Sequence, residues 1–273
     1  MEILVIIAIG FYILSTVGYV LYLFFQKNYL HQAGYFFIIA GFLFHTSAIC
    51  WKMISSWHIP VTNLYETLSI ASWAVAGVFL IFFCKFKLKI LGAFAAPLAS
   101  IIMIFAFYLP RESAVTRDIF KSLWLFFHII AIFTGEALFA LACAIGLLYL
   151  VQEHAIKAKC HGFFFKRLPS LDMLDTTGYV CIVAGFTMLT LGLITGFIYA
   201  KSVWGSFWSW DPKEVWSSIT WVLYAVLLHG RMTTGWRGRR SAIMSVFCFI
   251  VLLFTFFGVN FFLKGHHWEF TKW

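Results

Sequence analysis

The sequence predicts an all-α protein, a polytopic integral membrane helical bundle, and three observations carry that prediction. Apolar residue types make up 62% of the 273 residues and charged types 11%, against roughly 45–50% and about 25% in water-soluble domains. Eight separate stretches are apolar over about the 20 residues that a helix needs to cross hydrocarbon. Those stretches fill well over half of the chain and leave no room for a separate soluble domain, so residues 1–273 read as a single transmembrane domain. Five prolines and the low charge also exclude collagen-like and disordered classes.

The first stretch, residues 3–25, has an acid and no Lys or Arg ahead of it. A secretory signal has a basic start and a small-residue cleavage site, so this is expected to be a retained span. The second covers 33–54. Ahead of the third, 67–84, Asn63 stands three residues before Glu66, the spacing of a capping box. The fourth and fifth, 89–108 and 122–151, are followed by the longest connection, 152–176, and then by the sixth, 177–200. The seventh, 214–232, has the fullest start signal. Asp211 suits the N-cap, Pro212 the first helical position and Glu214 the third, so this helix is expected to begin at about residue 212. The eighth covers 242–263. Six cysteines are scattered, mostly within spans and without a CxxC pair, which reads as packing rather than as a disulfide or zinc framework.

Eight spans put both termini on one side. The loops of the opposite side carry twelve basic residues, from Lys27 to Arg240, and the terminal side carries eight. Cytoplasmic loops hold the excess of Lys and Arg, so both termini and the Trp-rich segment at 201–216 are expected outside. The net charge of +9 is then topology and contact with anionic lipid. No nucleic-acid partner is expected.

Chemistry concentrates in two residue types. Between 201 and 221 the chain reads KSVWGSFWSWDPKEVWSSITW, with Trp204, Trp208, Trp210, Trp216 and Trp221 inside 18 residues. An aromatic belt explains one or two Trp at a span end. A clustered run with Gly205 and a capped helix start fits a platform for a planar apolar ligand, whose polar edge the indole N–H groups meet. Nine histidines are unevenly placed. His31, His154 and His161 fall in inner loops and His58 in an outer one, where they are expected to be solvated. His45 and His128 lie within spans, His229 near the inner end of the seventh, and His266 and His267 after the eighth. Ionisable residues inside spans are candidates for function. His128 lies about six residues below the outer start of its helix, roughly 9 Å deep, at the level of the Trp-rich segment. A helix histidine and an outer-loop histidine suit axial ligation of a haem iron from its two faces, against the alternative of a hydrogen-bonded core histidine. Glu136 stands eight residues deeper on the same face. It orients a ligand, takes part in proton movement, or pairs with a neighbouring hydroxyl.

The run Trp204-Gly205-x-x-Trp208-x-Trp210-Asp211-Pro212-Lys213-Glu214 resembles the tryptophan-rich "WWD" signature of the haem-handling membrane proteins of cytochrome c biogenesis. Other residues make the chain similar to the CcsA (ResC) type of the System II pathway. Trp124-Leu125-x-x-His128 looks like that family's first external histidine, and Leu228-His229-x-Arg231 like its membrane histidine. Gly258-Val259-Asn260 followed by Gly265-His266-His267 looks like the C-terminal external motif, and Pro60 to Glu66 like its PxxNxYE segment. The resemblance covers about residues 40–267. One departure is that His266 stands where the family has leucine, with His267 at the family's histidine position.

The resemblance implies a protein of the bacterial inner membrane that carries haem b outward and presents it, with a CcsB-type partner subunit, to apocytochrome c. There the CxxCH thiols add to the haem vinyl groups on the outer face. It implies that His128 and His267 hold the iron and that Trp208, Trp210 and Asp211 act beside it. Trp204 and Trp216 would complete the platform, and His229, with His45 as a candidate partner, would form a deeper haem position. Two other functions remain open at this point. One is a b-type electron-transfer subunit that keeps its haem permanently, the other a haem-delivery protein that hands haem to a chaperone. The second kind shares the signature but has about six spans in that family.

Overall fold

The structure, a computed structural model, describes residues 2–111, 118–159, 162, 163, 165–263 and 265. Among them there is no strand, and all eight expected helices are present. They are α1 (Glu2–Phe25), α2 (Asn28–Ser56), α3 (Leu64–Phe86), α4 (Gly92–Phe107, entered through a 3₁₀ turn at Lys89–Leu91), α5 (Leu123–Lys157), α6 (Leu171–Trp204), α7 (Pro212–Thr233) and α8 (Arg239–Leu253). Seven of the described helices are long and apolar enough to cross a membrane, α8 being counted with the turn that follows it. α7 is more amphipathic, with polar Ser217, Ser218 and Thr220 along its length. The chain divides after Ser122 into two compact units, each its own helical bundle.

In the first unit small residues let α1 lie close to its neighbours. A Cβ at Gly18 would stand 2.9 Å from Gly34 Cα on α2, and the Tyr12 and Tyr19 rings cover Gly41 and Gly34. Between apolar helices in lipid the driving forces are van der Waals contact and interhelical hydrogen bonds. Thr16 meets Ser100 at 2.9 Å, Ser72 donates to the Ala99 carbonyl at 2.8 Å, and Trp73 Nε1 donates to Thr46 at 2.8 Å. Asn63 caps α3 as expected by accepting from Glu66 N at 2.9 Å. The Glu66 carboxylate turns to Thr62 instead, accepting from its backbone N–H and its hydroxyl at 2.9 and 2.8 Å, and Lys52 lies 3.4 Å away.

Two histidines expected in solvated loops are buried. His31 belongs to the first turn of α2, boxed by Tyr19, Tyr22, Tyr35 and Phe83. His58 is buried with Nδ1 3.0 Å from the Ile59 carbonyl. Both stand where an aromatic-rich helix end closes over its connection, which a hydropathy window places outside the span. His154 is exposed as expected, and His161 lies outside the described residues.

The second unit is built on an antiparallel pair with matched register. The α6 glycines each face a bulky α5 side chain. Gly178 faces Ile145, Gly185 faces Phe139, Gly192 faces Ile132 and Gly196 faces His128, with added Cβ atoms falling 2.5–3.2 Å from those side chains. α5 and α6 overrun their apolar stretches at both loop-facing ends, so the connection between them is 158–170 rather than 152–176. α6 has 34 residues, about 51 Å at 1.5 Å each, against a hydrocarbon core of about 30 Å. α8 passes into a π turn at Phe254–Gly258 and ends in a short helical turn, Val259–Phe262. The slack of the π turn lets Thr255 meet Thr220 of α7 at 3.1 Å while still donating to the Val251 carbonyl at 3.0 Å. Such insertions recur at functional sites.

At the end of this unit away from the tryptophans, Arg231 of α7 grips Asp175 of α6 through two hydrogen bonds of 2.8 and 2.6 Å. Gly238 N donates to Asp175 at 2.8 Å, and the guanidinium lies 4.5 Å from the centre of the Tyr179 ring. This clasp is one wall of an open cavity of about 810 Å³ that Tyr149, Asp172 and Arg237 also line.

Candidate functional site

His128 stands in the second turn of α5, half-buried. Its Nδ1 is 2.7 Å from the Gly192 carbonyl of α6. A carbonyl oxygen only accepts, so Nδ1 carries a proton here and donates it, which in a neutral imidazole is the tautomer with its lone pair on Nε2. Metal-ligating histidines show the same arrangement, because the bond through the other nitrogen fixes both tautomer and ring direction. The ring rests on Gly196, where an added Cβ would stand 2.8 Å from both Cε1 and Nδ1.

The next residue along α6 sets the platform. Phe197 supports Trp208 at 5.8 Å between ring centres, and Trp208 meets Trp210 edge-on at 5.6 Å. Consecutive residues of one helix thus seat the histidine and the first tryptophan. α6 ends at Gly205, whose φ of +80° suits glycine, and Lys201 Nζ donates to its carbonyl at 2.8 Å. Trp210 also adopts positive φ, +58°, although it is not glycine. A held left-handed residue of this kind costs on the order of 1 kcal/mol or more and clusters at ligand sites. The turn leaves Trp210 77% exposed. Trp204 and Trp216 are more enclosed, against Tyr199 and Phe254 respectively.

Asp211 then starts α7 as the sequence predicts. Its side chain accepts from Lys213 N at 2.9 Å, and Glu214 reaches back to the backbone N–H groups of Asp211 and Ser209 at 3.2 and 2.9 Å. Asp211 and Pro212 also press on the backbone of Gly265 and leave no room there for a Cβ. The chain therefore passes over the α7 start immediately before His266 and His267, which lie outside the described residues. Asp211→Ala removes the cap and is expected to cost about 1 kcal/mol, read as a lower thermal midpoint in detergent. Asp211→Asn, which still caps, should recover most of it.

The remaining candidates are placed as follows. His45 is fully buried in the first unit, with Nδ1 3.2 Å from the Tyr12 hydroxyl and Nε2 2.8 Å from Ser69. Both ring nitrogens are engaged, so ligation through His45 requires one of these bonds to break. His229 is exposed on α7 in the second unit. Its helix, α7, ends at Thr233, one turn beyond it. Glu136 lies two turns below His128 and interacts electrostatically with Lys213 of α7. The features that sequence reading missed are the Gly192 carbonyl and Gly196, for which the small-xxx-small spacing of α6 was the available signal. The Asp175–Arg231 clasp had none, because its partners are 56 residues apart.

Residues 61–267 match the family described as Cytochrome C assembly protein. The chain is 33% identical over 222 residues to the cytochrome c biogenesis protein CcsA of Chlamydomonas reinhardtii, covering 78% of this chain and 61% of that one. The CcsA of Guillardia theta is 32% identical, with 93% and 91% covered, and that of Prochlorococcus marinus (strain MIT 9215) is 32% identical, with 89% and 86% covered. The chain thus spans under two thirds of the length of the Chlamydomonas reinhardtii relative but most of the other two. A solved structure, the cytochrome c haem lyase CcmF, aligns with a TM-score of 0.62 over 97% of this chain and 47% of that one, at 16% identity. That likeness shows a shared fold. Together the matches make this chain a multi-pass membrane member of the cytochrome c assembly family, of the CcsA type.

Proposed function

We propose that this protein transports haem b, presents it on the outer face of the membrane and takes part in its covalent attachment to the CxxCH thiols of apocytochrome c. It would do so as the membrane subunit of a System II synthase with a CcsB-type partner. Membership of a cytochrome c assembly family supports a role in cytochrome c maturation. The observation that carries the finer reading is the ring of His128, with Nδ1 held by Gly192 beside a tryptophan pair seated on Phe197. This donor set fits a haem, since one imidazole supplies an axial lone pair and flat indoles accept the face or edge of an apolar macrocycle. The excess of basic residues on the opposite loops supports an outward-facing platform.

In this reading His128 and His267 hold the iron, Trp208 and Trp210 orient the ring plane, and Asp211 fixes the platform to α7. Thiol S–H adds across each vinyl C=C to give a thioether, a step without net redox change. The protein supplies ligation, orientation and exclusion of oxidant. The exposed His229 would take haem at a deeper position on the way outward, and His45 would ligate only after release from Tyr12 or Ser69.

The test is assembly of a c-type cytochrome in cells lacking their own maturation system, with this chain and a CcsB-type subunit co-expressed. Covalent haem on the client, dependent on both chains, is the expected result. Haem found only as a tightly held, non-exchanging b-type group, with no attachment, would favour the electron-transfer function instead. On the platform, Trp208→Ala should weaken haem retention about tenfold, equal to about 1.4 kcal/mol. Trp221→Ala, whose indole is tied to Thr190 and Phe186 on α6, should leave retention within twofold of wild type.

A further inference from the structure

We infer that two residues of α6, Gly196 and Thr195, are positioning residues for His128. Gly196 sets the direction of its ring, and Thr195 adjusts how strongly its Nδ1–H is held. The inference rests on the reading of His128 as an iron ligand. Three observations carry it.

The first is steric. α5 and α6 meet as an antiparallel ladder in which glycine faces a bulky group at each step, and His128 on Gly196 is the rung nearest the tryptophan end. At the lower rungs the bulky group is apolar and only fills space. At Gly196 it is an imidazole, and an added methyl would fall 2.8 Å from two ring atoms. The ring has two torsions with which to move away, so the methyl displaces the ring rather than parting the helices. Any such rotation carries Nδ1 off the Gly192 carbonyl and turns Nε2 with it.

The second is the hydrogen bond itself. Gly192 O accepts from His128 at 2.7 Å and also from the Thr195 hydroxyl at 3.0 Å, which is in turn 2.7 Å from Leu191 O. Thr195 has one hydroxyl proton, shared between Leu191 O, the nearer acceptor, and Gly192 O, so it is a minor competitor of the His128 bond at the Gly192 carbonyl. A stronger acceptor on Nδ1–H makes the imidazole more basic, which favours ferric iron on the opposite nitrogen. Thr195 competes for that acceptor and so moderates the effect.

The third is adjacency. Gly196 and Phe197 are consecutive, and Phe197 supports Trp208. One turn of α6 thus fixes the ligand and the platform to each other, so a shift of either is felt by both.

The test uses full-length protein co-expressed with its partner subunit and isolated in detergent, with visible spectra and redox titration of bound haem. Gly196→Ala should lose at least fivefold of the reduced low-spin band that depends on His128, and added imidazole should restore it. Gly185→Ala provides the control, because its methyl meets the buried Phe139 ring at 2.8 Å and stresses the same helix pair without touching His128. It should lower the thermal midpoint and leave the spectrum unchanged. Thr195→Val, nearly isosteric, should keep the low-spin spectrum and shift the midpoint potential to a more negative value. A wild-type spectrum in Gly196→Ala together with a wild-type potential in Thr195→Val overturns the inference while leaving haem binding at His128 intact. Absence of haem from the wild-type preparation overturns the reading beneath it.

Discussion

His128→Gly is expected to abolish cytochrome c assembly, with client yield falling at least a hundredfold, and millimolar imidazole should restore part of it. The expectation follows from how the ring is held. With Nδ1–H committed to Gly192 at 2.7 Å and the ring seated on Gly196, no other side chain on α5 presents a lone pair at that point. Glu136 is two turns deeper on the same helix. Glycine leaves a space shaped for imidazole between α5 and α6, so the free base can enter where the side chain stood. An alanine at Gly185, which perturbs the same helix pair lower down, should not respond to imidazole. The assay is haem staining or mass measurement of the client cytochrome with and without the added base.

The second large effect concerns stability at the opposite end of the same unit. Asp175→Leu should destabilise the protein by about 3 kcal/mol, because it leaves the Arg231 guanidinium enclosed without its carboxylate. Arg231 makes bonds of 2.8 and 2.6 Å to Asp175, with 8% of its side chain exposed. The same carboxylate accepts from Gly238 N, which enters α8 at a φ of +63° that suits glycine. Losing Asp175 therefore frees the α7–α8 connection as well as the α6–α7 contact. The double variant Asp175→Leu/Arg231→Met should recover part of the loss, since an apolar pair of similar volume removes the stranded charge. Thermal unfolding in detergent distinguishes the two variants. Equal midpoints for the single and the double would show that the connection, and not the charge, sets the cost.

Much of the fold was legible because hydropathy in a membrane is a direct physical constraint. A helix needs about 20 apolar residues to span, and all eight stretches became helices. The start of α7 was legible to the residue, as Asp211, Pro212 and Glu214 carry their roles in local chemistry. The same logic half-succeeded at α3. Asn63 caps as its spacing implies, but the buried Glu66 carboxylate bonds to Thr62, with Lys52 3.4 Å away. Helix lengths were underestimated at α5 and α6 since both continue past the apolar region as polar-faced turns. His31 and His58 were misplaced for a related reason. A hydropathy window sees them beyond a span, whereas aromatic neighbours brought by other helices enclose them.

The candidate site was legible by residue type and illegible in its supports. Tryptophans and histidines announce themselves, but Gly192 contributes only a backbone carbonyl and Phe197 only a ring under Trp208. These roles exist once α5 and α6 are in register. The partial burial of Trp216 against Phe254 likewise depends on the π turn of α8, which apolar periodicity does not reveal. His45 shows the converse. It was a candidate by its place in a span, yet Tyr12 and Ser69 from two other helices take up both nitrogens.

Haem held on the tryptophan side of the second unit by His128 is the proposal on which the other expectations rest. The most direct measurement is the visible spectrum of the detergent-purified protein, oxidised and then reduced, with the CcsB-type subunit present, beside His128→Gly and His267→Gly. The expected result is a reduced low-spin haem spectrum that fades in both variants and returns with imidazole. No haem in any preparation, or a spectrum unchanged by either substitution, would contradict it.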